Sequence, residues 1–320
     1  MAAATSVSTR AKTRSKSAKA AGGNYLRFWG VRGSIPTPGP TTVRYGGNTS
    51  CIEVRADGEL IILDGGTGLR PLGRQLVQEF NGKPLKLTLL LTHTHWDHIQ
   101  GLPFFSPFYE PKNHLRILGY EGARRGLQNV LNGQMESPYF PIGLSEVPAN
   151  IEIEELKELQ FDIGSVRIEA CIANHPGVCM GYRLYTSGRS VAFFPDNEPH
   201  YGHSHGPRDP DAGQNTQIEL ARNEDQRILK FVSECDVLIM DSQYEQQEYE
   251  SHRGWGHACM DDVINFALEA NVKHLVLFHH DPEHDDARIE KMLAHGRKLI
   301  KSKKAKLRLD AAREGAIVGL

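Results

Sequence analysis

The apolar positions of this chain recur at two spacings. Over 25–29 (Tyr25-Leu26-Arg27-Phe28-Trp29) and 166–173 they alternate with polar residues, which sets one face of a strand against a core. Continuous apolar runs at 87–91, 237–240 and 274–278, each ending in polar residues, predict strands buried on both faces. Further short strands are predicted over 51–55, 60–63, 115–118, 180–184, 190–194 and 316–319. Ala56-Asp57-Gly58 and Thr186-Ser187-Gly188 supply hairpin turns. The other spacing is helical. Leu69, Leu72, Leu76 and Val77 form one stripe, so a helix is predicted over 69–80, with others over 120–132, 217–235, 261–270 and 285–301. Runs rich in Gly and Pro, 30–40 and 135–148, are predicted loops. Asp64-Gly65-Gly66-Thr67-Gly68 lacks a P-loop lysine and a dinucleotide fingerprint, so it reads as a tight structural turn. Strands and helices alternating in this way indicate an α/β layered fold.

Composition bounds what such a fold does. With 320 residues and 39% hydrophobic content, the chain can bury a substantial core, and residues 24–320 read as one domain. Residues 1–23, with Arg10, Lys12, Arg14, Lys16 and Lys19 and no acid, read as a disordered basic tail; an organelle transit peptide has the same composition. No apolar run is long enough to span a membrane. Five scattered cysteines without a Cys-x-x-Cys pair fit a reducing, cytoplasmic compartment. A formal net charge of -2 argues against nucleic acid as a partner.

The chemistry concentrates in Thr92-His93-Thr94-His95-Trp96-Asp97-His98, directly after the apolar run 87–91. If the segment stays extended, His93, His95 and Asp97 point the same way and His98 lies one step around the turn, an arrangement suited to two adjacent metals. Imidazoles mixed with a carboxylate favour a divalent cation that holds a reactive water, and a His-rich surface turn rarely repeats the full His-x-His-x-Asp-His pattern behind a buried strand. Later strand ends carry similar groups: Asn174-His175-Pro176, Pro195-Asp196-Asn197 and His279-His280-Asp281.

In this order the motifs resemble the metallo-β-lactamase fold hydrolases, from about Tyr25 to the C-terminus. The resemblance implies an αββα sandwich with its site at one edge, between the two sheets. It would place His93, His95 and His175 on one metal, Asp97, His98 and His279 on the other, and Asp196 between them. Two divalent ions are implied, zinc first, with manganese, iron or cobalt able to use the same ligands. Gly254-Trp255-Gly256-His257 looks like the extra histidine of the phosphodiesterase branch, which includes transfer-RNA 3′ processing nucleases and cyclic phosphodiesterases. Asp97 and His257 are the catalytic candidates; a capping histidine at a helix start is the alternative for His257. Asp241 would orient His257 or a ligand, and His280 would be an orienting or surface residue.

The span between His175 and Asp196 is too short for the arm that transfer-RNA nucleases insert there, and the chain after His279 is too short for the helical domain of glyoxalase II-like enzymes. A small-molecule cyclic phosphodiester, with a 3′,5′-cyclic nucleotide first, is therefore the expected substrate. A phosphoribosyl cyclic phosphodiester or an RNA is the alternative, a noncatalytic binding module is the reading from a different class, and homodimers are common among relatives. Tyr139, in the 135–148 loop, and His203 and His205, just after Asp196, are the candidate substrate contacts; a core-edge role for Tyr139 and a solvated lid for the histidines are the competing readings.

Overall fold

The computed structural model describes residues 23–121, 126–199 and 215–320. The expected basic tail (but for its last residue) and the expected contacts His203 and His205 lie outside the described residues.

One sheet runs in the order β14-β1-β2-β3-β4-β5-β6 and the other β13-β12-β11-β10-β9-β8-β7. Their strands are β1 (Tyr25–Gly30), β2 (Cys51–Ala56), β3 (Glu59–Leu63), β4 (Lys86–Leu90), β5 (His114–Gly119), β6 (Asn150–Glu155), β7 (Gln160–Ile163), β8 (Val166–Ile172), β9 (Met180–Tyr185), β10 (Ser190–Phe194), β11 (Val237–Asp241), β12 (His274–Phe278), β13 (Arg308–Ala311) and β14 (Ile317–Gly319). Leu26, Phe28, Val54, Ile61, Ile168, Tyr182, Phe193, Ile239 and Phe278 fill the space between the sheets. Outside the first sheet pack α1 (Leu69–Phe80) and α3 (Leu127–Gly133). Outside the second pack α4 (Asn215–Val232), α6 (Met260–Glu269) and α7 (Asp286–Ser302). These are the four layers of the expected αββα sandwich. Covering both faces explains why β10, β11 and β12 are buried at every position whereas β1 alternates.

Each sheet is antiparallel in one half and parallel in the other: β3 to β6 in the first, β10 to β13 in the second. The carboxyl ends of parallel strands open onto the same side, where α/β sheets receive their ligands. Here those ends deliver Asp64 after β3, the His93 motif after β4, Asp196 after β10, Asp241 at the end of β11 and His279 after β12.

Several sequence expectations change. The helix expected over 120–132 begins only at Leu127: Gly126 before it takes φ 74, outside helical space, and the Glu155 carboxylate receives the Leu127 N–H. β6, β7, β13 and the helix α5 (Gln246–His252) are not among the predicted elements; β13, with only Leu309 buried, is held by its parallel pairing with β12. Within the central motif, His95 is extended but a short helix, α2 (Trp96–Ile99), starts immediately after it. Asp97 therefore turns away from His93 and His95 and joins His98, which corrects the expectation that the three share one face. The Asp64–Gly68 turn is as tight as expected, since a Cβ on Gly66 would stand 2.2 Å from the Asp97 carbonyl oxygen.

Gly66→Ala is therefore expected to destabilise the protein by about 1–3 kcal/mol, because backbone cannot yield as a side chain can. Gly133→Ala, at a position open on all sides in α3, is expected to be neutral or to stabilise by up to about 1 kcal/mol. Thermal or denaturant unfolding of the two variants checks this, and an unchanged Gly66→Ala midpoint would count against the packing described.

Candidate metal centre

The strand ends bring together one dense group of donors. Ligand atoms of His93, His95, His175 and Asp196 lie within 4.8 Å of one another, as do those of Asp97, His98 and His279, and those of Asp196, His257 and His279. Asp196 faces both histidine sets: its Oδ2 is 3.6 Å from His93 Nε2 and 3.5 Å from His175 Nε2, and its Oδ1 is 3.1 Å from His98 Nε2 and 3.3 Å from His279 Nε2.

Two observations test whether this set fits cations. His93 Nε2, His98 Nε2 and Asp196 Oδ1 are buried and lack a hydrogen-bond partner, a costly state for polar atoms unless something between them is bound. The opposite ring nitrogens are engaged by the protein, which aims the free ones inward. His98 Nδ1 meets Asp64 Oδ2 at 2.7 Å, His93 Nδ1 meets Thr92 Oγ1 at 3.1 Å, His175 Nδ1 meets the Gly256 carbonyl at 3.0 Å, and His279 Nδ1 meets Gln243 Oε1 at 3.1 Å. Five imidazoles and two carboxylates around two points fit a pair of divalent cations.

Electrostatics agree with this reading. Burial, reinforced by the neighbouring imidazoles, holds His93 well below its ordinary value, so its ring is neutral and offers a lone pair. Burial likewise lowers His95 and His175. Burial pushes His98 down as well, but Asp196, Asp97 and Asp64 outweigh it and raise His98 well above its ordinary value. Burial would raise Asp97 and Asp196; the surrounding imidazoles, His98 and His279 foremost, hold both well below the usual carboxylate range. The pocket is thus built around negative charge that asks for positive charge beside it.

Two of the supporting groups were not singled out in the sequence. Asp64, read there as part of a turn, is fully buried and takes hydrogen bonds from Ser50 Oγ and from the Thr92 N–H and hydroxyl besides its contact with His98. Glu198, two residues after Asp196, accepts from Tyr249 Oη, Gly254 N and Gly256 N, all at 2.8 Å. It clamps the turn that carries His257 and that meets His175. An acid shortly after a strand end was the only signal available for either, and surface loops carry such acids everywhere.

His257 itself stands half-buried with Nδ1 2.7 Å from Asp241 Oδ2, its ring stacked 4.8 Å from that of His279. Burial lowers its affinity for a proton, but Asp241, then Asp196 and Asp97, more than offset this and raise the imidazole to about 9. His280 is buried and hydrogen-bonded to the Ala312 carbonyl; burial pushes it down to about 3, so it is a neutral brace. His279 is held at φ 60, where L-residues are strained, by the His280 N–H donating to Val31 O and by Gly33 packed against its ring. Tyr139 is not drawn into the cluster: its ring is exposed, and its neighbour Phe140 packs on Phe104.

A family model described as a β-lactamase superfamily domain matches residues 61–209. Ribonuclease Z of Haloarcula marismortui is 24% identical over 282 residues, covering 79% of this chain and 85% of that protein. Among solved structures, yeast PDE1 superposes with a TM-score of 0.62 at 17% identity over 93% of this chain and 99% of its own. The short form of human tRNase Z does so at 0.57 and 17%, over 92% and 98%. These relatives overturn the expectation that nucleic acid is not a partner. That expectation averaged charge over the whole chain, whereas phosphate contacts are local: Arg297, Lys298, Lys301, Lys303, Lys304, Lys306 and Arg308 fall within one short run despite the net charge of -2. No helix among the described residues is long and apolar enough to cross a membrane. The fold and the donor set are similar to those of the metallo-β-lactamase fold hydrolases, and these matches are consistent with a metal-dependent phosphoric diester hydrolase.

Proposed function

We propose that residues 24–320 form a dinuclear phosphodiesterase in which His93, His95 and His175 hold one divalent cation, zinc first, Asp97, His98 and His279 hold the other, and Asp196 reaches both. Two such cations supply Lewis acidity, withdrawing charge from a phosphoryl group and acidifying water toward neutral pH.

The observation that carries this reading is the Asp241–His257 pair beside the donor cluster. Cleaving a phosphodiester leaves an alkoxide that needs a proton. With Nδ1 2.7 Å from Asp241 Oδ2, a contact that favours the protonated ring, His257 is placed to give a proton from Nε2. Asp241 fixes the ring orientation, and Glu198 fixes the turn beneath it. Asp97, kept ionised and positioned by the Ser34 N–H at 2.8 Å, is the candidate proton acceptor. Five cysteines, all free and buried, are compatible with a reducing, cytoplasmic setting.

For the substrate, the first reading is a cyclic phosphodiester, foremost a 3′,5′-cyclic nucleotide. The second is an RNA strand, favoured by one observation: the sequence relatives carry the name ribonuclease Z. A panel of cyclic AMP, cyclic GMP, bis(p-nitrophenyl) phosphate, a transfer-RNA precursor and a thioester, run with several metals, separates these readings; turnover of the thioester alone would sink both.

Three variants test the assignments. His257→Ala is expected to lower kcat on bis(p-nitrophenyl) phosphate by about 10²–10⁴-fold while elemental analysis still finds two metals per chain, the pattern of a lost general acid. Asp196→Ala is expected to lose metal and activity together. Asp64→Asn, which weakens the support of His98, is expected to bind metal about 10–100-fold more weakly in a chelator competition. Full metal retention in Asp196→Ala would remove that residue from the ligand set.

A further inference from the structure

The chain has three tryptophans, and they are treated differently. Trp29 is satisfied within the fold: its ring lies under the Arg27 guanidinium at 4.3 Å and its Nε1 donates to Glu53 at 2.9 Å. Trp96 and Trp255 are 80% and 59% exposed, and neither indole N–H has a partner among the described residues. Single exposed apolar residues are ordinary. These two, however, both adjoin the candidate centre.

Trp96 sits between His95 and Asp97, at the first position of α2, and its carbonyl receives the Gln100 N–H. Trp255 sits between Gly254 and Gly256, whose N–H groups are both clamped by Glu198. Its ring is braced edge-on by His252 at 4.7 Å. The backbone under each indole is thus held while the indole itself stays in water. His175 spans the gap between them: its Nε2 is 3.1 Å from His95 Nδ1 and its Nδ1 is 3.0 Å from the Gly256 carbonyl. Trp96 and Trp255 thus adjoin in the chain the two residues, His95 and Gly256, that His175 joins at the edge of the donor cluster.

We infer that Trp96 and Trp255 are stacking platforms for the nucleobase of the substrate, so that the enzyme takes base-bearing phosphodiesters in preference to base-free sugar phosphates. This rests on the phosphodiesterase reading and narrows it. A base presents a π-face whatever its identity, so an indole rim selects nucleotides without selecting among them. A base on one platform suits a cyclic nucleotide; bases on both suit a strand that continues on either side of the scissile phosphate.

The test compares wild type, Trp96→Ala, Trp255→Ala and the corresponding Phe variants of the metal-loaded full chain on two diesters with the same leaving group. Thymidine 5′-(p-nitrophenyl phosphate) carries a base; methyl p-nitrophenyl phosphate does not. Losing a platform is expected to raise KM for the thymidine ester about tenfold, the scale of one lost base–aromatic stack, with kcat within about twofold and the methyl ester unaffected. Phe is expected to restore most of the loss. Equal changes on both esters, or none on either, would overturn the inference. The source of the base is read with cyclic AMP against a short single-stranded oligoribonucleotide: a loss confined to the cyclic nucleotide assigns a mononucleotide, and a loss confined to the strand assigns RNA. If wild type cleaves no diester, the phosphodiesterase reading has failed. Stacking is then decided by tryptophan fluorescence, where quenching by adenosine 5′-monophosphate that disappears in the doubly substituted protein supports the platforms and its absence in wild type removes them.

Discussion

Everything in this protein is arranged around one unfavourable act, the burial of Asp196 among imidazoles, two of which, His93 and His98, turn an unpartnered Nε2 toward it. Its carboxylate is almost wholly hidden, yet Oδ1 accepts no hydrogen bond, and His93 Nε2 and His98 Nε2 beside it are equally unsatisfied. Such a set is unstable as protein alone, since each buried orphan costs on the order of 1–3 kcal/mol. It becomes favourable once cations lie between the groups. The fold tolerates the arrangement because four of the five imidazoles are oriented by a second ring nitrogen held by Asp64, Thr92, Gly256 or Gln243.

That orientation rests on the sheets. Parallel strands buried on both faces stop at one common edge, so residues far apart in sequence meet there without long loops to order. The strain at His279 and the close approach of Gly66 to Asp97 are consequences of packing several strand ends into one place. The reacting side of the molecule is thus tightly held, whereas its rim, with Trp96 and Trp255, stays open to solvent. A site built in this way suits one chemistry carried out on substrates chosen by the rim. The same surroundings lower Asp97 and raise His257, so two titratable groups beside one cluster are shifted in opposite directions.

The metal motif was legible because its spacing is dense and because a buried strand precedes it; His175, Asp196 and His279 were legible because each follows a strand that the hydrophobic pattern also marks. The strands of the buried halves and the helices α1, α6 and α7 could be read for the same reason, since burial on a face imposes a period. Short edge strands were missed: Ile151 and Ile153 of β6 and Phe161 and Ile163 of β7 alternate, but over too few positions to stand out, and β13, with Leu309 alone buried, depends on its pairing with β12.

The sequence by itself determined the donor types, their order and the layers that carry them, because ligand chemistry and hydrophobic period are local properties. Only the tertiary structure decided that Asp97 leaves the face of His93 and His95, that Asp64 and Glu198 support the centre, and that two of three tryptophans are left exposed. These depend on where a helix begins and on which strand ends converge, and the convergence brings together residues distant in sequence: Asp64 and His98 are 34 residues apart, Glu198 and Gly256 58, and His279 and Asp97 182.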